Sequence, residues 1–167
     1  MTRYSVLKSE LNALIAEETN PLIIMCNSSA LLKEHLTNIN WLGFYLVNNS
    51  LGVLTLGPFQ GKIACTRIPK SEGVCGTAWA TNTVQNIPDV HLFEGHIACD
   101  SASESEIVIP LYYEIDGKKE CFAVLDIDSP IKARFSEEDE KNLIEIAELI
   151  SRALANAEIE ILLNVLS

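Results

Sequence analysis

Ile107-Val108-Ile109-Pro110-Leu111-Tyr112-Tyr113-Glu114-Ile115, then Asp116-Gly117, then Glu120-Cys121-Phe122-Ala123-Val124-Leu125-Asp126-Ile127 is the stretch on which the fold turns. Two runs rich in β-branched and aromatic residues flank a dipeptide that tolerates positive φ, so the pattern predicts a long β-hairpin. Upstream, Asn40 to Val47 reads as a strand, Asn48-Asn49-Ser50 as a turn and Leu51 to Leu56 as a second strand. Lys62 to Ile68 and Val84 to Ile87 are further strand candidates, with a short helix over Gly73 to Ala80 between them. Downstream, Ser136-Glu137-Glu138-Asp139 resembles a capping box opening a long helix, whose apolar stripe includes Leu143, Ile146, Leu149, Ile150, Ala153 and Leu154.

At the other end, residues 4–18 carry Val6, Leu7, Leu11, Leu14 and Ile15 at helical spacing. Asn20-Pro21 then reads as an N-cap followed by a first-turn proline. The helix it opens, over about 21–36, is expected to bury Leu22, Ile23, Leu31 and Leu32. Helices at both ends and strands between, with few crossover helices, predict an α+β fold. Its sheet is antiparallel and its helices gather on one face.

The 167 residues carry no repeat, linker or composition break, so one domain is expected over 1–167. With 48% apolar and 21% charged residues the chain is not a disordered one. A net charge of −11 repels phosphate backbones and anionic lipid, so neither nucleic acid nor a membrane surface is an expected partner. No apolar run reaches the length of a membrane span, and the first residues lack the apolar core of a secretory signal. The expected location is the cytoplasm.

Five cysteines, an odd number, argue in a reducing compartment against a structural disulfide framework and for transient, chemical disulfides. No Cys-x-x-Cys pair supports a zinc ribbon or finger, and no metal or cofactor is expected. Cys26 and Cys121 sit in apolar segments and read as small buried hydrophobes. Cys65, Cys75 and Cys99 lie instead among small or polar neighbours. Cys99 falls in the chemically varied, irregular stretch Asp89 to Ser105, three residues after His96, where imidazolium or backbone dipoles would stabilise a thiolate. His91, His96 and Cys99 also admit a metal set or a Cys-His nucleophile pair.

Asp126 and Asp128 end the second hairpin strand on one face, about 6.6 Å apart, with Phe122 and Val124 on the same face by strict alternation. Glu106 begins the partner strand. Clustered carboxylates repel, which favours a retained proton near neutrality. Two strand-end aspartates in solvent would have the same spacing. In Trp41-Leu42-Gly43-Phe44-Tyr45, alternation places Trp41 and Tyr45 on one face around a glycine, leaving either a slot for an apolar group or ordinary core packing.

Beyond these patterns, the chain resembles the free methionine-(R)-sulfoxide reductases, a family of single GAF domains. The matching stretches are Asn40-Trp41-Leu42-Gly43-Phe44-Tyr45-Leu46, Leu56-Gly57-Pro58-Phe59-Gln60-Gly61-Lys62 with Ala64-Cys65, Gly73-Val74-Cys75-Gly76, Pro88-Asp89-Val90-His91, Gly95-His96-Ile97-Ala98-Cys99-Asp100-Ser101, Ser105-Glu106-Ile107-Val108 and Leu125-Asp126-Ile127-Asp128-Ser129-Pro130. Departures are Ile63 and Glu94 where proline is expected and Ala123 where glycine is usual.

The resemblance implies a six-stranded antiparallel sheet with N- and C-terminal helices packed on one face and loops covering a pocket, in a homodimer. It implies that Cys99 attacks the sulfoxide sulfur, that Cys65 resolves the resulting sulfenic acid into a disulfide, and that Cys75 is an alternative resolving or relay cysteine. Thioredoxin would regenerate the thiols. The substrate's ammonium suits Glu106, Asp126 and Asp128, with one of them, Glu106 in the leading assignment, donating the proton. Its carboxylate suits the backbone N–H groups of Ile97, Ala98 and Cys99, and its apolar part the slot between Trp41 and Tyr45. The rival readings are a ligand-sensing GAF module without turnover, a Cys-His hydrolase using Cys99 and His96, and a peroxide sensor.

Overall fold

The computed structural model describes residues 3–95, 97, 101–157 and 159–166. Helices α1 (Arg3–Ile15) and α2 (Pro21–His35) lead into strands β1 (Trp41–Asn48), β2 (Val53–Gln60) and β3 (Arg67–Pro69). Helix α3 (Gly73–Thr81), strand β4 (Gln85–Ile87) and a 3-10 turn (Val90–Leu92) follow. The chain closes with β5 (Ser105–Ile115), β6 (Lys118–Ser129), α4 (Glu137–Asn156) and α5 (Ile159–Leu166). The strands form one six-stranded sheet in the order β3-β2-β1-β6-β5-β4, every neighbouring pair antiparallel. This is the expected α+β architecture. At the hairpin tip Asp116 and Gly117 have φ of 50° and 75°, a double positive φ that this dipeptide adopts cheaply.

Leu42, Phe44 and Leu46 of β1, Ile107, Ile109 and Leu111 of β5, and Leu125 and Ile127 of β6 share one core. It meets Leu7 and Leu11 of α1, Ile24 and Leu32 of α2, and Leu143, Ile146, Ile150 and Leu154 of α4. The terminal helices therefore cover one face of the sheet. Helix α3 departs from the expected grouping and lies on the other face, where Val74, Ala78 and Trp79 pack with Tyr45, Val108 and Val124. Among the described residues no helix is long and apolar enough to cross a membrane.

Two caps match the sequence. Asn20 accepts from the Leu22 and Ile23 N–H groups ahead of Pro21, and Ser136 with Asp139 forms a complete capping box. Other details differ. Leu22 and Ile23 are 50% and 42% exposed, because Leu22-Ile23-Ile24-Met25 is apolar all round and helical spacing alone does not select Ile24 and Met25 as the inner pair. Leu14, counted on the α1 stripe, is also exposed. Strand β2 runs on through Gly57-Pro58 to Gln60 because the β1–β2 register shifts between Gly43 and Tyr45, a bulge that tolerates proline. Residues 62–66 are consequently a loop. Helix α5 follows a turn at Ala157 that no glycine or proline marks.

Candidate active site

Pairing in the sheet's centre brings the acidic residues together. Asp128 lies opposite both Trp41 and Glu106, and Asp126 opposite both Gly43 and Val108. Residues directly opposite share a face, so Glu106, Asp126 and Asp128 project from neighbouring strands toward α3. Helix α3 sits close because Gly76 has no side chain: a Cβ there would come within 2.4 Å of the Pro69 carbonyl. That approach places Cys75 above Asp126. The thiol of Cys75 and the carboxyls of Glu106 and Asp126 are buried, with their ligating atoms within 4.8 Å of one another.

The cluster's electrostatics follow from burial. Desolvation pushes the Glu106 carboxyl well above its ordinary range, and the charge of Asp128 adds to the effect. Asp126 is raised in the same sense, by burial first and by Glu106 next. Cys75 is raised by burial and by the carboxylates beside it, and donates its thiol hydrogen to Asp126. Asp126 in turn shares a hydrogen bond with Glu106. All three groups are therefore shifted toward their protonated forms, and a metal using these donors would have to displace their protons. Asp126 Oδ1 is buried with no hydrogen-bond partner among the described residues, an acceptor position open to a bound molecule.

The aromatic pair lies on the same face. Trp41 and Tyr45 have ring centroids 5.8 Å apart, and Trp41 also stacks on Phe59 at 5.3 Å. The slot expected over Gly43 is filled: a Cβ on Gly43 would meet Phe59 Cβ at 2.3 Å and the Trp41 indole at 2.7 Å. Glycine here admits Phe59 from β2 rather than a ligand. The polar ends of both rings hold the loop that carries Cys65. Trp41 Nε1 donates to the Lys62 carbonyl and the Tyr45 hydroxyl to the Cys65 carbonyl, each at 3.1 Å. Burial, followed by the charge of Asp126, pushes the Tyr45 hydroxyl far up, so it remains a donor. Gly43→Ala is expected to destabilise the protein by about 1–3 kcal/mol, because the clash is with strand backbone and Cβ, which have no room to yield. Urea denaturation reads this directly, and an unchanged midpoint would mean that Phe59 is free to move.

Cys65 is partly buried and disulfide-bonded, whereas Cys26, Cys75 and Cys121 carry free thiols. Cys26, read as a buried hydrophobe, is exposed on α2. Ile97 packs against Gly73 at the first turn of α3. Cys99, Ala98 and His96 lie outside the described residues. His91 pairs with Glu104 at 3.4 Å, and its neighbour Asp89 with Lys132 at 2.7 Å. Phe122 is not on the acidic face. The β5–β6 register shifts between Leu111 and Tyr112, so the extra residue, Phe122, turns into the helix-side core and stacks on Tyr113 at 5.2 Å. Sequence reasoning missed Phe59 as a wall of the site. The Gly57-Pro58 pair before it, which breaks the strand's alternation, is the signal that marks the position.

A GAF domain family model matches residues 14–154. The chain is 53% identical over 155 residues to the free methionine-R-sulfoxide reductase of Escherichia coli, covering 93% of this chain and 90% of that protein. Its structure is similar to that of free methionine-R-sulfoxide reductase from Neisseria meningitidis in complex with its substrate, with a TM-score of 0.87 and 40% identity over 94% of this chain and 91% of that one. It is also similar to the reduced form of fRMsr from Staphylococcus aureus, with a TM-score of 0.85 and 45% identity over 92% and 96%.

Proposed function

The chain belongs to the GAF domain family and, within it, to the free methionine-R-sulfoxide reductases, and from that premise we propose that it reduces free L-methionine-(R)-S-oxide to L-methionine. The observation that carries the reading to this chain's own residues is the buried Cys75–Asp126–Glu106 cluster, in which burial raises both carboxyls and Asp126 Oδ1 is left for a bound molecule. A sulfoxide oxygen becomes basic as its sulfur is attacked, and a carboxyl that keeps its proton at neutral pH is the acid it needs.

Each cysteine takes a distinct role. The Cys99 thiolate attacks the sulfoxide sulfur while Glu106 supplies a proton to the oxygen. Methionine leaves and Cys99 becomes a sulfenic acid. The Cys65 thiol then attacks that sulfenic sulfur, water departs, and a disulfide remains. One sulfoxide and two thiols thus yield methionine, water and one disulfide. Support comes from Cys65, which is disulfide-bonded and sits in a loop anchored over the acidic face. Cys75 is held as a thiol by burial and its carboxylate neighbours, which suits a relay or auxiliary role better than first attack.

The remaining groups read the amino acid. Asp126 and Asp128 receive the ammonium, the backbone N–H groups of Ile97, Ala98 and Cys99 receive the carboxylate, and the Trp41–Tyr45 wall, extended by Phe59, faces the apolar part. A residue within a polypeptide has neither free charge, so the site selects the free amino acid. We further propose that the protein works as a single-domain homodimer in the reducing cytoplasm, with thioredoxin returning the disulfide to thiols. NADPH consumption coupled through thioredoxin reductase and thioredoxin tests the proposal, with the R and S epimers offered separately. Turnover confined to the R epimer is expected. No turnover of either epimer by the reduced protein would leave a ligand-binding module instead.

A further inference from the structure

Charge is distributed unevenly around the disulfide-bonded cysteine. None of the chain's 23 acidic residues lies between Glu34 and Glu72, a span that contains Lys62, Arg67 and Lys70, three of its 12 lysines and arginines. That span includes β2, the edge strand β3 and the loop carrying Cys65. In a chain of net charge −11, the stretch from the Cys65 loop through β3 to Lys70 thus carries three basic side chains and no acidic one, with Glu72 the first carboxylate beyond the strand, its N–H bonded to the Pro69 carbonyl. Arg67, Pro69 and Lys70 are exposed, and Lys70 Nζ lies 4.7 Å from the centre of the Trp79 ring.

The loop also has an apolar tip. Ile63 is 90% exposed, the most exposed large apolar side chain among the described residues, two positions before Cys65. The backbone on either side of it is pinned inward, by Trp41 on the Lys62 carbonyl and by Tyr45 on the Cys65 carbonyl. Ile63 is thus held outward by the same bonds that fix Cys65.

We propose that the Cys65 loop and β3 form the docking face for the reductant, a small acidic protein carrying a vicinal dithiol. Its apolar surface covers Ile63, its carboxylates meet Arg67 and Lys70, and its thiolate reaches the Cys65 sulfur. The inference rests on the reductase reading only for the need of a reductant. The partner's thiolate attacks Cys65 Sγ and forms a mixed disulfide, and the sulfur previously bonded to Cys65 leaves with the electron pair and takes a proton. The partner's second thiolate then attacks its own bonded sulfur, closing the partner's disulfide and releasing Cys65 as a thiol. Two electrons and two protons pass from partner to protein. The charges raise the encounter rate, and the isoleucine fixes the register.

The test follows reduction of the isolated, oxidised protein by thioredoxin and, separately, by dithiothreitol, comparing the natural chain with Ile63→Asp and Arg67→Glu. Both variants are expected to slow reduction by thioredoxin roughly 10-fold or more while leaving the dithiothreitol rate within about two-fold. The ratio of the thioredoxin rate of the natural chain to that of Arg67→Glu should fall toward one with added salt, because screening weakens the local attraction that the substitution removes. Equal thioredoxin rates in all three proteins would overturn the assignment, as would equal slowing with both reductants. A change in oligomeric state in place of a rate effect would make the face a contact between copies and overturn it too. No sulfoxide is present in this measurement, so it stands apart from the substrate; methionine sulfoxide turnover driven by dithiothreitol tests the reductase reading by itself.

Discussion

Replacing Cys99 by serine is expected to lower turnover of free methionine-(R)-sulfoxide by about 10⁴-fold or more, because the proposed reaction passes through a bond that only this sulfur makes. A serine hydroxyl is scarcely ionised at neutral pH and has no sulfenic state, so neither oxygen transfer nor disulfide formation proceeds. Cys65→Ser is expected to behave differently. With Cys99 intact, one methionine should form per chain in a single burst, after which turnover driven by thioredoxin stops for want of a disulfide. Cys75→Ser should retain most of its turnover, since a buried thiol hydrogen-bonded to a carboxyl is a poor attacker. Quenched-flow measurement of methionine separates burst from steady state. Full steady-state turnover in Cys99→Ser would remove it as nucleophile, and a burst lost in Cys75→Ser but kept in Cys99→Ser would transfer the role.

Why the sequence sets Cys65 apart from the apolar cysteines but does not mark Phe59 as a wall of the site is a matter of range. Composition around a cysteine is local, and small polar neighbours distinguish Cys65 from Cys121. The Asp116-Gly117 turn, the Asn20-Pro21 start and the Ser136 capping box are also local, and the structure carries all three. The clustering of Glu106, Asp126 and Asp128 on one face follows from period two and hairpin register, both readable across a short turn. Bulges are not readable this way. One extra residue at Phe122 reverses its face, and the irregularity at Gly57-Pro58 carries β2 four residues past its expected end and brings Phe59 over Gly43. The same limit applies to α2, where four consecutive apolar residues give the helix no preferred face until the sheet supplies one. Cys75 could be named from its neighbours, but its place beside Asp126 depends on Gly76 meeting Pro69, a contact that no spacing encodes.

Glu106→Gln is expected to make the protein more stable and far less active. Burial, followed by the charge of Asp128, raises the Glu106 carboxyl in the folded state, while in the unfolded chain it titrates near an ordinary 4.3. The folded state therefore holds the proton more tightly. Its stability from this group is full below the unfolded value and falls as pH rises toward the folded one. Glutamine keeps the shape and the hydrogen bond toward Asp126 but has no proton to lose. The melting temperature of the variant should exceed that of the natural protein at pH 8, by about 2–4 °C for each kcal/mol regained in a domain of this size. The difference should shrink toward about pH 3, where the natural carboxyl is protonated in both states. Turnover should fall by about 10²–10⁴-fold with the Michaelis constant changed only a few-fold, since an amide donates no proton to the sulfoxide oxygen. Thermal melts at both pH values and steady-state kinetics in one buffer series decide the matter. Unchanged turnover would move the proton donor to Asp126, whose carboxyl burial and the charge of Glu106 raise in the same direction. A melting difference independent of pH would mean that packing, rather than ionisation, accounts for the gain. The expected pair of results describes a trade-off: a carboxyl that weakens the fold at neutral pH because it is buried and that, in the proposed reaction, gives its proton to the sulfoxide oxygen.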